Sequence, residues 1–357
     1  MKKGLSSLLC AVMITAMLAG CGGAPKGGPE NSAAEPNAQA AQPSGQKVFM
    51  TFGGPTASGS NFSYWVAVGK IIQQQYPQYQ ITVSETQGGF DIAKRMRTGQ
   101  IVSGNSLSNT DYDNYYGVGS FDGQGGFDKL RILWYYEKRP MCYTALASEK
   151  IDSFGAIEGK KYSGGGAGTA GQMLSEAVAE VLGVTPNWFD AGQQGALDAM
   201  TNKQISGLGK ICGIPDSTLT QLFLSVDAKI IDFTDEEIAK IQEALPYTMP
   251  YTVPASTYKG QEKEVKTFAI GQGAQATSDL SQEAGYQFIS ALLSEEGQEQ
   301  WKAAYPPAAE FDVLQTTLDL ATFPLHAGTV QYLVEHGYTV PEDLIPPEYV
   351  PVEGSAA

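Results

Sequence analysis

Ten residues stand out for the chemistry their spacing allows: Tyr162-Ser163-Gly164-Gly165-Gly166-Ala167-Gly168-Thr169-Ala170-Gly171. Their glycines follow a short strand predicted over 159–163. They run into a helix in which Met173, Leu174, Ala177, Val178, Val181 and Leu182 recur at helical spacing until Gly183. Side-chain-free residues at a helix start leave backbone N–H groups bare, and the helix dipole adds partial positive charge, so the stretch forms a cradle for an anion. Gly166, Gly168 and Gly171 also spell G-x-G-x-x-G, with Asp190 near the distance of a ribose-binding acid. No Gly-Lys-Ser/Thr follows, which excludes a P-loop. A small carboxylate, a dinucleotide and a plain tight turn all stay open.

Where the protein works narrows the choice. The chain starts with Lys2 and Lys3, continues through an apolar run over 5–18, and reaches Leu18-Ala19-Gly20-Cys21. A basic start, an apolar core too short to span a bilayer and small residues before a cut describe a secretory signal over 1–20. The cysteine at the cut resembles the bacterial lipobox, so Cys21 is the expected lipidation site, with the protein extracytoplasmic and anchored by lipid to the cell membrane. Residues 22–46 carry no large apolar side chain and cannot build a core, which predicts a disordered tether over 21–46.

Removing 1–20 takes away Lys2 and Lys3 and no acid, moving the formal charge from −15 to −17. Such an acidic body argues against nucleic acid, while local backbone dipoles can still hold an anion. The mature part keeps Cys142 and Cys212, which suit two buried thiols or one bridge, and only His326 and His336. That is too few for a zinc site. No cofactor is expected, and an exported protein meets little free nicotinamide cofactor.

From residue 46 on, roughly 300 residues remain, enough for two α/β lobes. Lys47-Val48-Phe49-Met50-Thr51-Phe52 reads as a buried strand, followed by Ser58-Gly59-Ser60-Asn61-Phe62 opening a helix with Trp65, Val66, Gly69, Ile71 and Ile72 on its apolar side. The pattern repeats: Gly88-Gly89-Phe90 enters a helix, and a strand over 101–107 delivers Ser108-Asn109, with Tyr112 one helical step on. Strands alternating with helices predict parallel-rich sheets, whose ligands gather at the strands' carboxyl ends. Residues 130–136 and 141–147 read as two strands, the second crossing into another lobe. That lobe adds Gly213-Ile214-Pro215 at another helix start. The predicted division is lobe I over 47–142 and 252–350, lobe II over 143–251, and a tail over 351–357.

These pieces resemble the TAXI receptors (TRAP-associated extracytoplasmic immunogenic proteins) of tripartite ATP-independent transporters. The resemblance rests on Pro254-Ala255-Ser256-Thr257-Tyr258-Lys259-Gly260, on Pro324-Leu325-His326-Ala327-Gly328-Thr329 with Glu335-His336-Gly337, and on the glycine loops. It implies a two-lobed periplasmic-binding-protein fold of type II-like plan, with a ligand cleft between the lobes. It also implies a monomeric, non-enzymatic receptor that hands a small anionic organic solute to membrane permease subunits. Residues at the family's loop positions are Ser58 to Phe62, Ser108, Asn109, Ala167, Gly168, Thr169, Gly213 and Pro215, and in the receptor reading Gly88 to Phe90 join them in lining the cleft. Asn109 stands where the family usually has Asp, which fits a keto or hydroxy di-acid better than an amino acid. His326 belongs to a C-terminal signature and reads as a cap or packing element, not a catalytic base. An exported dinucleotide-dependent oxidoreductase and a ligand-sensing lipoprotein for a membrane kinase are the alternative functions.

Overall fold

The computed structural model describes residues 46–57 and 61–352. The expectations for the signal, Cys21, the tether up to residue 45, Ser58, Gly59, Ser60 and residues 353–357 lie outside the described residues. Within them the chain is α/β, as expected, with ten strands and eleven α-helices.

Three strand-helix units come first: β1 (Val48–Gly54) with α1 (Phe62–Gln75), β2 (Tyr79–Glu85) with α2 (Gly89–Arg97), and β3 (Ser103–Leu107) with α3 (Ser108–Tyr116). β2, β1 and β3 pair in parallel. Next comes β4 (Leu130–Leu146), then β5 (Lys161–Ser163), α4 (Ala170–Leu182), β6 (Asn187–Trp188), α5 (Gln193–Thr201) and β7 (Gly207–Ile211). After α6 (Ser217–Ser225), β8 (Ala228–Ile230) and α7 (Asp235–Ala244), β9 (Thr248–Val253) and β10 (Val265–Thr277) return. Helices α8 (Gln282–Leu293), α9 (Glu295–Ala304), α10 (Val313–Leu320) and α11 (Ala327–Glu335) close the chain. The sheet order is β2-β1-β3-β10-β4-β7-β5-β6, with β8 on β4 and β9 on β10.

The parallel pairs expected from the alternation are the outer ones, β2/β1/β3 and β7/β5/β6. The middle is antiparallel, because β10 lies between β3 and β4 and β4 pairs with β7 and β8. The two strands predicted over 130–136 and 141–147 are one 17-residue strand. Glu137-Lys138-Arg139-Pro140 reads as an interruption in sequence. In the structure Leu130–Pro140 pairs with β10 and Met141–Ala145 with β7, so Pro140 sits where the ladder changes partner and a missing N–H does least harm.

Each half has its own cores. Tyr64, Trp65, Val68, Ile71 and Ile72 of α1 pack with Phe288, Leu292 and Trp301 over one face of the first half-sheet. Val66, expected on that side, is 48% exposed, and Tyr64 and Val68 take the buried positions. The other face is covered by Ile92, Leu320, Leu325 and Val330, while Leu174, Val178 and Phe233 build the second half's core with Tyr143. Cys142 and Cys212 are buried free thiols.

His326 is a structural residue. Its Nδ1 accepts the Gly328 N–H (3.1 Å), capping α11, and its Nε2 lies 2.9 Å from the Leu280 carbonyl, so Nε2 carries the proton. Burial pushes its pKa down to about 4. With both ring nitrogens engaged it has no lone pair left for use as a base.

Candidate functional site

Small residues stand in β1 and β3 where a side chain would collide with a neighbouring helix: a Cβ on Gly54, at the end of β1, would lie 3.0 Å from the Phe62 ring that opens α1, and a Cβ on Gly104 in β3 would lie 2.8 Å from Ile92 Cγ2 of α2. The result is a seam of buried polar groups at the strands' carboxyl ends. Ser108, Asn109, Thr110 and Asp111, all buried at the start of α3, face it.

Ser108 joins three segments, its Oγ donating to the Tyr247 carbonyl (3.0 Å) and accepting the Gly271 N–H (2.9 Å). Removing that hydroxyl strands a buried donor and a buried acceptor. We therefore expect Ser108→Ala to cost about 1–3 kcal/mol in urea unfolding, and a loss too small to measure would show that the two backbone groups find other partners. Asn109 reaches toward the second half: its Nδ2 donates to the Ala170 carbonyl at the start of α4 (3.2 Å), while its Oδ1 is buried without a partner. The Tyr112 ring packs against Tyr247 and Tyr116. Asp111 is fully buried and its pKa is pushed up to about 8 by burial, against a long hydrogen bond from the Tyr135 hydroxyl. Its Oδ1 has no partner, and neither has Thr110 Oγ1 beside it.

A second group lies on the long strands. Asn61 is buried at the start of α1, and its Nδ2 donates to Asn105 Oδ1 (3.2 Å) and Tyr136 Oη (3.4 Å). The same Asn105 oxygen accepts Trp65 Nε1 (3.2 Å) and Gln272 Nε2 (2.8 Å), and Gln272 Oε1 accepts Arg139 Nη1 (2.5 Å). Glu137, 1% exposed, accepts the Tyr305 hydroxyl at Oε2 (2.9 Å). Burial pushes the Glu137 carboxyl up, against the pull of Arg139 and Tyr305. For Arg139, burial alone would lower the pKa, but the Glu137 charge outweighs it and holds the guanidinium above its usual range.

The opening glycine loop is organised differently. Gly166 (φ 103°) and Gly168 (φ 71°) occupy left-handed backbone that side chains disfavour. Within the loop the Ala167 N–H bonds the Ala191 carbonyl (3.0 Å) and the Thr169 N–H bonds the Gly166 carbonyl (3.2 Å). Thr169 is the N-cap of α4, its hydroxyl accepting from Gln172 N and donating to Gly166 O (2.8 Å). Ala167 and Gly168 are exposed.

The residues singled out in the sequence therefore fall into groups. Asn61 and Gly213 come to the β4 network, a Cβ on Gly213 lying 3.2 Å from Glu137 Oε1. Pro215 follows a cis peptide bond two residues on. Ser108, Asn109 and Tyr112 share the α3 seam with Gly89, which faces Thr110. Phe62 packs against Gly54. Gly88 is the N-cap of α2, and the Phe90 ring is engaged by Phe121 and by Lys94 Nζ at 4.2 Å. Sequence reasoning missed Asn105, Asp111, Glu137, Arg139 and Gln272. The available signal was the charged triplet Glu137-Lys138-Arg139 inside an otherwise apolar strand, a pattern rarely left without a role.

Residues 52–337 match the sequence profile of one family, described as NMT1-like. The chain belongs to the NMT1-like family. The matched span takes in β4, β10 and every described polar group of the site. Among solved structures, this NMT1-like chain is similar to the alkanesulfonate-binding protein SsuA from Xanthomonas axonopodis pv. citri bound to MOPS: 12% identity, 86% of this chain and 97% of that one, TM-score 0.42. A TctC solute-binding protein from Polaromonas matches at 12% identity, 75% and 90% coverage and TM-score 0.48. A putative L-cystine ABC transporter from Listeria monocytogenes matches at 12%, 76% and 99%, with TM-score 0.45.

Proposed function

We propose that this NMT1-like protein is a lipid-anchored extracytoplasmic receptor of the TAXI type, not an enzyme, which captures a small organic acid and delivers it to a tripartite transporter's membrane permease. The observation that carries the reading is the polar seam at the ends of β1 and β3, where Asn109 Oδ1, Thr110 Oγ1 and Asp111 Oδ1, on three consecutive residues, are buried without partners. Hydrogen-bonding capacity left over at one place is what a polar solute would use. In this reading the lobes are 47–142 with 252–350, and 143–251. Asn61, Phe62, Gly88, Gly89, Phe90, Ser108, Asn109, Tyr112, Ala167, Gly168, Thr169, Gly213 and Pro215 line or frame the cleft between them. The solute is a glutamate-like acid or a keto or hydroxy dicarboxylate, and Cys21 holds the tether at the membrane.

A thermal-shift screen of the mature protein against small acids, neutral amino acids and sugars tests the reading. A solute at a hundred times its Kd stabilises the protein by about 2.7 kcal/mol, a shift of several degrees. Stabilisation by one class of small solute is the expected result. A flat response to all of them would remove the receptor reading.

A further inference from the structure

We infer that Arg139 receives a carboxylate of the solute through the edge formed by its Nε and Nη2; the inference rests on the receptor reading above. An arginine offers a carboxylate two parallel donors along that edge. The chain has four arginines, and the other three show the edge in use. Arg131 grips Glu348 with Nε at 2.7 Å and Nη2 at 2.9 Å, Arg95 grips Asp91 at 3.0 and 2.8 Å, and Arg97 holds Asn114 through the same two nitrogens at 2.7 and 3.0 Å. Arg139 differs: Gln272 takes its Nη1, its Nε is buried with no acceptor, and among the described residues it forms no ion pair.

Its position suits the task. Arg139 precedes Pro140, where β4 changes pairing from β10 to β7, so it lies on the strand common to both halves. Gln272, Asn105 and Asn61 hold the head group in sequence, which fixes the open edge before any ligand arrives. Glu137, two residues earlier on the same face of β4, balances the buried charge, and its Oε2 is occupied by Tyr305. An arginine whose buried Nε has no acceptor selects an oxyanion, and the planar fork favours a carboxylate over a neutral amide.

Titration calorimetry of the wild type, Arg139→Lys and the Glu137→Gln/Arg139→Gln double variant tests this, with succinate, L-malate, 2-oxoglutarate and L-glutamate as probes and L-glutamine, neutral amino acids and sugars as controls. The double variant removes both buried charges together, so its fold does not depend on an unpaired carboxylate. We expect the wild type to bind at least one acid, Arg139→Lys to weaken it about tenfold, and the double variant to weaken it about a hundredfold, with glutamine far weaker than glutamate. Folded variants that bind the same acid within threefold of wild type would overturn the assignment and leave the receptor standing. Wild type that binds a neutral solute and none of the acids would overturn it too. If no solute of either class binds, both readings fall together.

Discussion

Gly328→Ala unfolds at markedly lower urea than wild type, by about 3 kcal/mol or more. The reason is backbone against backbone. A Cβ on Gly328 would lie 2.2 Å from the Tyr286 nitrogen and 2.4 Å from the Gln282 carbonyl oxygen, so α11 and α8 could keep neither their separation nor their angle. Overpacking with flexible side chains costs about 1–3 kcal/mol, and a contact that only a helix shift relieves belongs at or above that range. The same interface holds the His326 ring, whose Nδ1 would stand 2.1 Å from a Cβ on Gly285, so a displaced α11 also weakens the cap on its first turn. Gly155→Ala is the control, since a Cβ there meets nothing nearer than Ser153 Oγ at 3.9 Å and should change stability by less than about 1 kcal/mol. Equal losses in the two variants would show that α8 and α11 separate freely, contrary to the packing argument.

Asp111→Asn stabilises the protein above neutral pH and flattens its pH dependence. Asp111 is completely buried, its Oδ2 lies 3.5 Å from the Tyr135 hydroxyl, and burial pushes its pKa up to about 8. The folded pKa therefore lies above the unfolded value of 3.8. Below that value both states hold the proton and Asp111 carries no penalty. Between about 4 and 8 the unfolded chain ionises first, so stability declines as pH rises, by up to about 1.4 kcal/mol per pH unit for one proton. Above the folded pKa the penalty stays constant. An amide has the shape of the protonated acid and no such titration, so the gain from Asp111→Asn should be near zero at pH 4 and several kcal/mol at pH 8. Urea midpoints measured across that window decide the matter. Parallel curves for the two proteins would mean that Asp111 is ionised in the folded state and finds a counter-charge.

The elements were largely readable because their signals are local. Strand alternation and the apolar stripe of α1 each act over a few neighbours, as do the helix starts, where Thr169, Asp216 and Ser281 prove to be N-caps that accept hydrogen bonds in the structure. Pairing is not local. Nothing near Leu130 announces that β10 will lie beside it, so the continuity of β4 through Pro140 was hidden and the parallel alternation was extended across an antiparallel centre. The site divides in the same way. Asn61, Ser108 and Asn109 were visible as helix starts, whereas Asn105, Arg139 and Gln272 acquire their roles only when β3, β4 and β10 come together. Thr169 was read as a ligand group from its place in the glycine loop, and the engagement of its hydroxyl within its own turn could not be seen there.

The place of β10 in the sheet has a consequence for the order of events during synthesis. β3 ends at Leu107 and β4 begins at Leu130, yet the strand between them starts only at Val265. A nascent chain emerging from its amino end therefore holds two unpaired strand edges throughout production of β5 to β9, and such edges invite pairing with other chains. The second half can assemble its own ladders from β4 to β7 in that interval, but the first half must wait for a strand delivered from the far side of it. Slow, late closure of this kind keeps the polypeptide open while it is being made, a state that suits the export proposed for this chain.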